Sequence, residues 1–122
     1  MCSRSHPLAS RESIAWSEIE QLPLIGTTAH RQLDALPEGQ FLSHPFMQVS
    51  TMLTLLSLLR EGVGVTVLGR YAIPQIAQAE LTYVPLVRPT RSRAIGIVRL
   101  AHQTPSPAAS EMLDRIRACA RR

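Results

Sequence analysis

The chain reads as an α/β protein, and three observations carry that expectation. An apolar helical stretch at residues 50–61 runs straight into Val63-Gly64-Val65-Thr66-Val67-Leu68, a continuous β-branched run of the kind buried on both faces in a parallel sheet. Further strand-like runs before and after it alternate with helical segments, the order that βαβ units produce. At 122 residues the chain holds one ordinary domain, large enough to bury a core without disulfide or metal staples.

The elements are read in order. In His6-Pro7-Leu8-Ala9 the proline fixes an extended entry. Ile14-Ala15-Trp16 leads into Ser17-Glu18-Ile19-Glu20, whose Ser17 and Glu20 stand at capping-box spacing, and Pro23 ends that short helical turn. Leu24-Ile25 begins a short buried strand, Gly26-Thr27-Thr28 follows, and a polar helix is expected over residues 29–36, closed by Pro37-Glu38-Gly39. Residues 41–49 form a second strand, weakened by Pro45.

The strongest helix is residues 50–61, with Ser50 as N-cap and Gly62 as its stop. Met52, Leu55, Leu56 and Leu59 form its apolar stripe, and Leu53 and Leu58 widen it, so it should be covered on two sides. After the Val63–Leu68 run come a helix over residues 71–79, interrupted at Pro74, and strands over residues 81–86 and 94–100. The last helix has Ser106 as N-cap and Pro107 at its first position, with Ala109, Met112, Leu113, Ile116 and Ala120 at helical spacing and Glu111 four residues before Arg115.

Composition narrows the function. All thirteen basic residues are Arg, set against nine acidic ones for a net charge of +4. They are scattered, apart from Arg88, Arg91, Arg93 and Arg99 and the C-terminal Arg115, Arg117, Arg121 and Arg122, and they lack interleaved aromatics. That pattern reflects residue usage, or attraction for anionic ligands, rather than a nucleic-acid groove. No apolar run is long enough to span a membrane or to form a signal peptide, so a cytoplasmic protein without membrane attachment is expected. Cys2 and Cys119 are read as reduced free thiols. His6, His30, His44 and His102 have no ligand-spaced partners, so no metal is expected, and no cofactor loop is present either. Gly62-Val63-Gly64 follows a helix and precedes a strand, the reverse of a dinucleotide loop. Without a nucleophile elbow or an acid–base constellation, no enzyme is predicted.

One segment invites a ligand. In Leu24-Ile25-Gly26-Thr27-Thr28-Ala29-His30, a strand end, a glycine and two hydroxyls open a helix. Free backbone N–H groups and the positive helix end would then converge on a small anion. A plain N-cap without ligand is the competing reading.

His6-Pro7-Leu8-Ala9, Trp16-Ser17-Glu18-Ile19, Leu22-Pro23-Leu24-Ile25, the stretch from Leu55 through Leu68, Val84-Pro85-Leu86 and Ser106-Pro107-Ala108-Ala109 with the final helix form an ordered set covering nearly the whole chain. In that order they resemble the C-terminal half of the effector-binding domain of a LysR-type transcriptional regulator. The resemblance implies a type II periplasmic-binding-protein-like fold, here its second lobe plus a returning C-terminal strand and helix. Residues 1–8 would be a crossover segment with His6-Pro7-Leu8 as its strand, 9–93 the effector-binding lobe, and 94–122 the return strand and a helix that packs on a first lobe not contained in this sequence.

The resemblance also implies that a small organic anion contacts Gly26, Thr27, Thr28, Ala29 and His30, with Ser50, Thr51 and the Gly62–Val65 turn nearby. Met52, Leu55 and Leu59 would face a second subunit. At Gly69 the chain departs from the family, which commonly has proline there. The leading expectation is an effector-sensing fragment that forms a homo-oligomer and does not bind DNA by itself, since the helix-turn-helix lies outside it. The alternatives are a non-catalytic remnant that only self-associates, and an arginine-driven nucleic-acid binder whose affinity collapses with salt.

Overall fold

A parallel rung and an antiparallel rung meet on two consecutive residues at the centre of the molecule. In the computed structural model, which describes residues 1–28, 30, 36–76, 80–92 and 96–120, Val65 N–H donates to Pro23 O (2.9 Å) and Ile25 N–H to Val65 O (2.8 Å). One residue on, Thr66 N–H donates to Met1 O (3.0 Å) and the Met1 amino group to Thr66 O (2.8 Å). Successive residues of an extended chain direct their peptide groups to opposite sides, so residues 65–66 act as a central strand although the regular pairing is a single bridge between Leu24 and Val65.

The other strands assemble around this segment. They are β1 (Cys2–Ser3), β2 (Ile14–Ala15), β3 (Ile25–Gly26), β4 (Met47–Gln48), β5 (Leu81–Thr82) and β6 (Leu86–Val87). β4 pairs in parallel with β3, Ile25 opposite Met47, and β1 pairs antiparallel with β5, Cys2 opposite Thr82. The spatial order is therefore β4, β3, residues 65–66, β1, β5. β2 and β6 form a separate parallel pair, Ile14 opposite Leu86.

Neighbouring residues of these strands face opposite ways, and both faces are covered. Leu24, Val65 and Cys2 join Ile14, Trp16, Ile19, Leu42, Val67 and Val84 in one core, while Ile25 and Met1 join Leu55, Leu59 and Leu81 in the other. This two-sided burial is why residues 63–68 are almost uniformly apolar.

The helices are α1 (Trp16–Ile19), α2 (Met52–Arg60), α3 (Ile73–Ile76) and α4 (Pro107–Ala120), with 3-10 turns at Pro7–Ser10, Pro37–Ser43 and Arg70–Ala72. α1 is anchored by Trp16, which is buried, meets Phe41 edge-on at 6.5 Å and donates its indole N–H to Pro89 O (3.0 Å). α2 is capped by Thr51, whose Oγ1 accepts from Thr54 N–H (3.1 Å), and ends at Gly62, held at φ 71° where a side chain would be strained. Met1–Ser92 forms one compact unit and Arg93–Arg122 a second, and in the second α4 has Ser106 Oγ accepting from Ala109 N–H (3.3 Å) and an Arg115–Glu111 pair at 2.8 Å.

Several sequence expectations are corrected. Residues 63–68 form no continuous strand, and the run expected over 41–49 shortens to β4 because Phe41 to Ser43 belong to the 3-10 turn started by Pro37. His6-Pro7-Leu8 is not a strand: His6 Nδ1 accepts from Leu8 N–H (3.1 Å) and caps a 3-10 turn, and the strand lies earlier, at β1. The carboxylate of the first helical turn is Glu18 rather than Glu20, accepting from Ala15 N–H (2.8 Å), so the cap lies two residues earlier than Ser17 implied. The N-cap of α2 is Thr51, not Ser50. That helix is covered on one side only: Leu55 and Leu59 are fully buried, so they belong to the core rather than to a subunit interface, whereas Leu53 is 76% exposed and Met52 39%. Residues 96–100 are exposed and carry no strand. The helix expected over 29–36 and the end of the one over 71–79 lie largely outside the described residues.

Two outcomes follow from this packing. Leu59→Ala should destabilise the chain by about 2–5 kcal/mol in denaturant unfolding, and Leu53→Ala by about 0.5 kcal/mol or less. The Ala15 N–H bond, with Arg11 beside it, holds the Glu18 carboxyl below its ordinary value. Its stabilising contribution is therefore present above the ordinary glutamate value and disappears as pH falls through the depressed one. The thermal midpoint of the wild type should fall across that window more steeply than that of Glu18→Gln, compared by calorimetry at matched ionic strength.

Candidate functional site

Because β3 and β4 are parallel, the segments that leave them emerge at the same end of the sheet. Val49 N–H donates to Gly26 O (3.0 Å), so Thr27 and Thr28 after one strand start beside Ser50 and Thr51 after the other. Residues 66–68 leave the neighbouring central segment at this same carboxyl edge, where open α/β sheets hold their ligands. Thr28, Ser50 and Thr51 are exposed, and Thr27 is half-buried.

The local chemistry suits an anion. The first ladder bond of α2 runs from Leu55 N–H to Thr51 O (3.2 Å) and the cap takes Thr54 N–H, leaving the N–H groups of Met52 and Leu53 outside the ladder. The positive end of α2 thus lies with three threonines, and an anion there gains about 0.3–1 kcal/mol from the helix dipole. Gly26 is required by packing, since a Cβ at that position would stand 2.7 Å from Pro45 Cγ. At Gly64 a Cβ would stand 2.2 Å from Pro23 O, so only glycine lets the central segment approach β3.

The expected contact residues do not all lie on that surface. Gly26, Thr27, Thr28 and Thr51 gather at the carboxyl edge. Ala29 lies outside the described residues. His30 is 3% exposed and turned inward: its Nε2–H donates to Val67 O (2.9 Å) with Thr66 Oγ1 at 3.4 Å, and its backbone N–H donates to Thr27 O (3.0 Å). Gly62 sits at the opposite end of α2 from Thr51, so the Gly62–Val65 turn is not part of this edge.

Sequence reasoning passed over Thr66. It is fully buried and its hydroxyl donates to Ile25 O (2.8 Å). The available signal was a lone hydroxyl inside an apolar run buried on both faces, which must find a partner. Among the described residues, no three His, Cys, Asp or Glu side chains come together as a metal would require, and no helix is long and apolar enough to cross a membrane. Burial pushes the Cys2 thiol up, away from the reactive thiolate.

The strand–helix layout and its hydroxyl-rich carboxyl edge describe the chain's architecture, and comparison with known proteins gives its class. Residues 1–121 match the LysR substrate binding domain, and the chain belongs to that family, whose members are transcriptional regulators with a periplasmic-binding-protein-like fold. It is similar to the "Uncharacterized HTH-type transcriptional regulator YbhD" of Escherichia coli (strain K12), with 32% identity over 113 residues, 88% of this chain. The chain spans 36% of the length of that relative.

Replacing the cap of α2 tests the local architecture. Thr51→Ala should lower stability by about 1 kcal/mol, and Thr51→Ser should restore most of it, as read from denaturant midpoints.

Proposed function

We propose that this chain is the effector-sensing part of a LysR-type regulator and that it binds a small organic anion at the carboxyl edge of β3 and β4, through Thr27, Thr28, Ser50, Thr51 and the opening N–H groups of α2. The observation that carries the reading is the parallel pairing of β3 with β4, which sets both hydroxyl-bearing segments and the positive end of α2 side by side. On this reading residues 9–93 are the second lobe, residues 1–8 with β1 cross into it, and residues 94–122 return from it. The sheet order, with β1 antiparallel between residues 65–66 and β5, supports a crossover there.

The role is regulatory rather than catalytic: anion binding biases one of two arrangements of a cytoplasmic homo-oligomer. Operator recognition belongs to parts of a full-length regulator beyond the matched residues, as the relative's printed name of HTH-type regulator suggests. A second reading, a module that only self-associates, is favoured by the exposed apolar side chains of α4, Met112 at 59% and Ile116 at 44%.

A thermal-shift series with small carboxylates, aromatic acids, sulfate and phosphate separates the two. Binding at one hundred times the dissociation constant adds about 2.7 kcal/mol, several degrees for a chain of this size. The sensor reading expects such a shift with at least one anion and its loss in Thr28→Val. Absence of any shift, with an oligomer in light scattering, would leave only self-association.

A further inference from the structure

The parallel ladder between β3 and residues 65–67 stops one rung early, and side chains take its place. After the bonds of Val65 to Pro23 and Ile25, the next rung of a regular parallel pair would use Ile25 O and Val67 O as acceptors. Ile25 O instead accepts from Thr66 Oγ1 (2.8 Å), and Val67 O accepts from His30 Nε2–H (2.9 Å). Both carbonyls are satisfied, but by groups that set the backbones of residues 27–28 and 66–68 apart rather than zipping them together. A carbonyl cannot donate, so Val67 O fixes the proton of His30 on Nε2. Thr66 has given its own proton to Ile25 O, so its oxygen can only accept from that same Nε2–H, at 3.4 Å. The two side chains thus form one directional chain, from His30 to Val67 O and Thr66 Oγ1, and from Thr66 to Ile25 O. His30 and Thr66 are 3% and 0% exposed, and the Thr27 hydroxyl oxygen beside them is buried with no hydrogen-bond partner among the described residues.

We propose that His30 and Thr66 are positioning residues: a buried wedge that splays the Thr27–Thr28 segment from residues 66–68 and makes the two move as one unit at the carboxyl edge. The consequence for ligand affinity rests on the reading of that edge as an anion site, whereas the coupling of the two segments does not. His30 acts through the wedge, and the exposed Thr28 and Thr51 meet the solvent.

Two readouts on the whole chain test this. Amide hydrogen exchange is followed for residues 27–30 and 66–68 in the wild type, His30→Leu, His30→Asn, His30→Gln, Thr66→Val and Thr66→Ser. His30→Gln can place an amide N–H near the position of Nε2, and Thr66→Ser keeps the hydroxyl. Faster exchange in both segments together is expected for His30→Asn, His30→Leu and Thr66→Val, with wild-type protection in the two conservative variants. The Asn and Gln pair decides the matter if the apolar variants fail to fold. Unchanged protection in His30→Asn, or loosening of one segment without the other, would overturn the wedge. In parallel, benzoate and sulfate are titrated by thermal shift. The wedge expects affinity about tenfold weaker in His30→Asn, the factor of roughly one lost hydrogen bond, with recovery in His30→Gln. Equal affinity in the two variants would refute the positioning role. A wild type that binds neither probe speaks against the anion site, and the exchange data then decide the wedge independently.

Discussion

Two-sided hydrogen bonding at Val65 and Thr66 is the constraint from which the rest of the fold follows. A segment bonded on both sides has no free edge and must be buried, so its side chains are apolar on both faces and its neighbours must supply two cores. The approach is close enough that position 64 must be glycine, where any Cβ would strike Pro23 O. α2 closes one face with Leu55 and Leu59, and the Trp16, Ile19 and Leu42 cluster closes the other. The stability of the chain is concentrated where these layers meet the central segment.

The same constraint creates the edge at which we propose the site. Parallel strands send their following segments to one end, and here that end collects threonines and a helix N-terminus instead of apolar residues. The regular ladder would otherwise run on toward the edge. Its replacement by the Thr66 and His30 side chains keeps the edge open while leaving no carbonyl of that rung unsatisfied, which matters because an unpaired buried carbonyl costs about 1–3 kcal/mol. The proposed sensor role needs such a place, tied firmly to the core and still presenting polar groups to solvent.

The outer parts obey a weaker regime. α4 buries none of its residues, and its ion pairs, Arg115 with Glu111 and Arg117 with Asp114, are exposed. Such pairs contribute about 0.2–0.5 kcal/mol each, so the helix depends on capping and propensity within its own unit. Its apolar stripe at Met112 and Ile116 faces solvent in the isolated chain. Glu18 and Glu38 are each held ionised by an arginine, and at Glu18 a backbone N–H contributes more.

Local signals in the sequence determined much of this protein. The periodicity of the leucines located α2, Pro107 after Ser106 started α4, Gly62 stopped α2, and the β-branched run marked residues 63–68 as buried centre, since each depends on neighbours a few residues away. The hydroxyl-rich loop after Ile25 was equally legible. Tertiary structure alone decided how much of each apolar run became strand, because ladder length depends on which partners reach the carbonyls, and two of those partners are side chains distant in sequence. It also decided that Leu53 faces solvent while Leu55 does not, and that His30 turns inward instead of toward a ligand. The residue pairs that settle these points, His30 with Val67 and Thr66 with Ile25, are separated by 37 and 41 positions, beyond the reach of any local pattern.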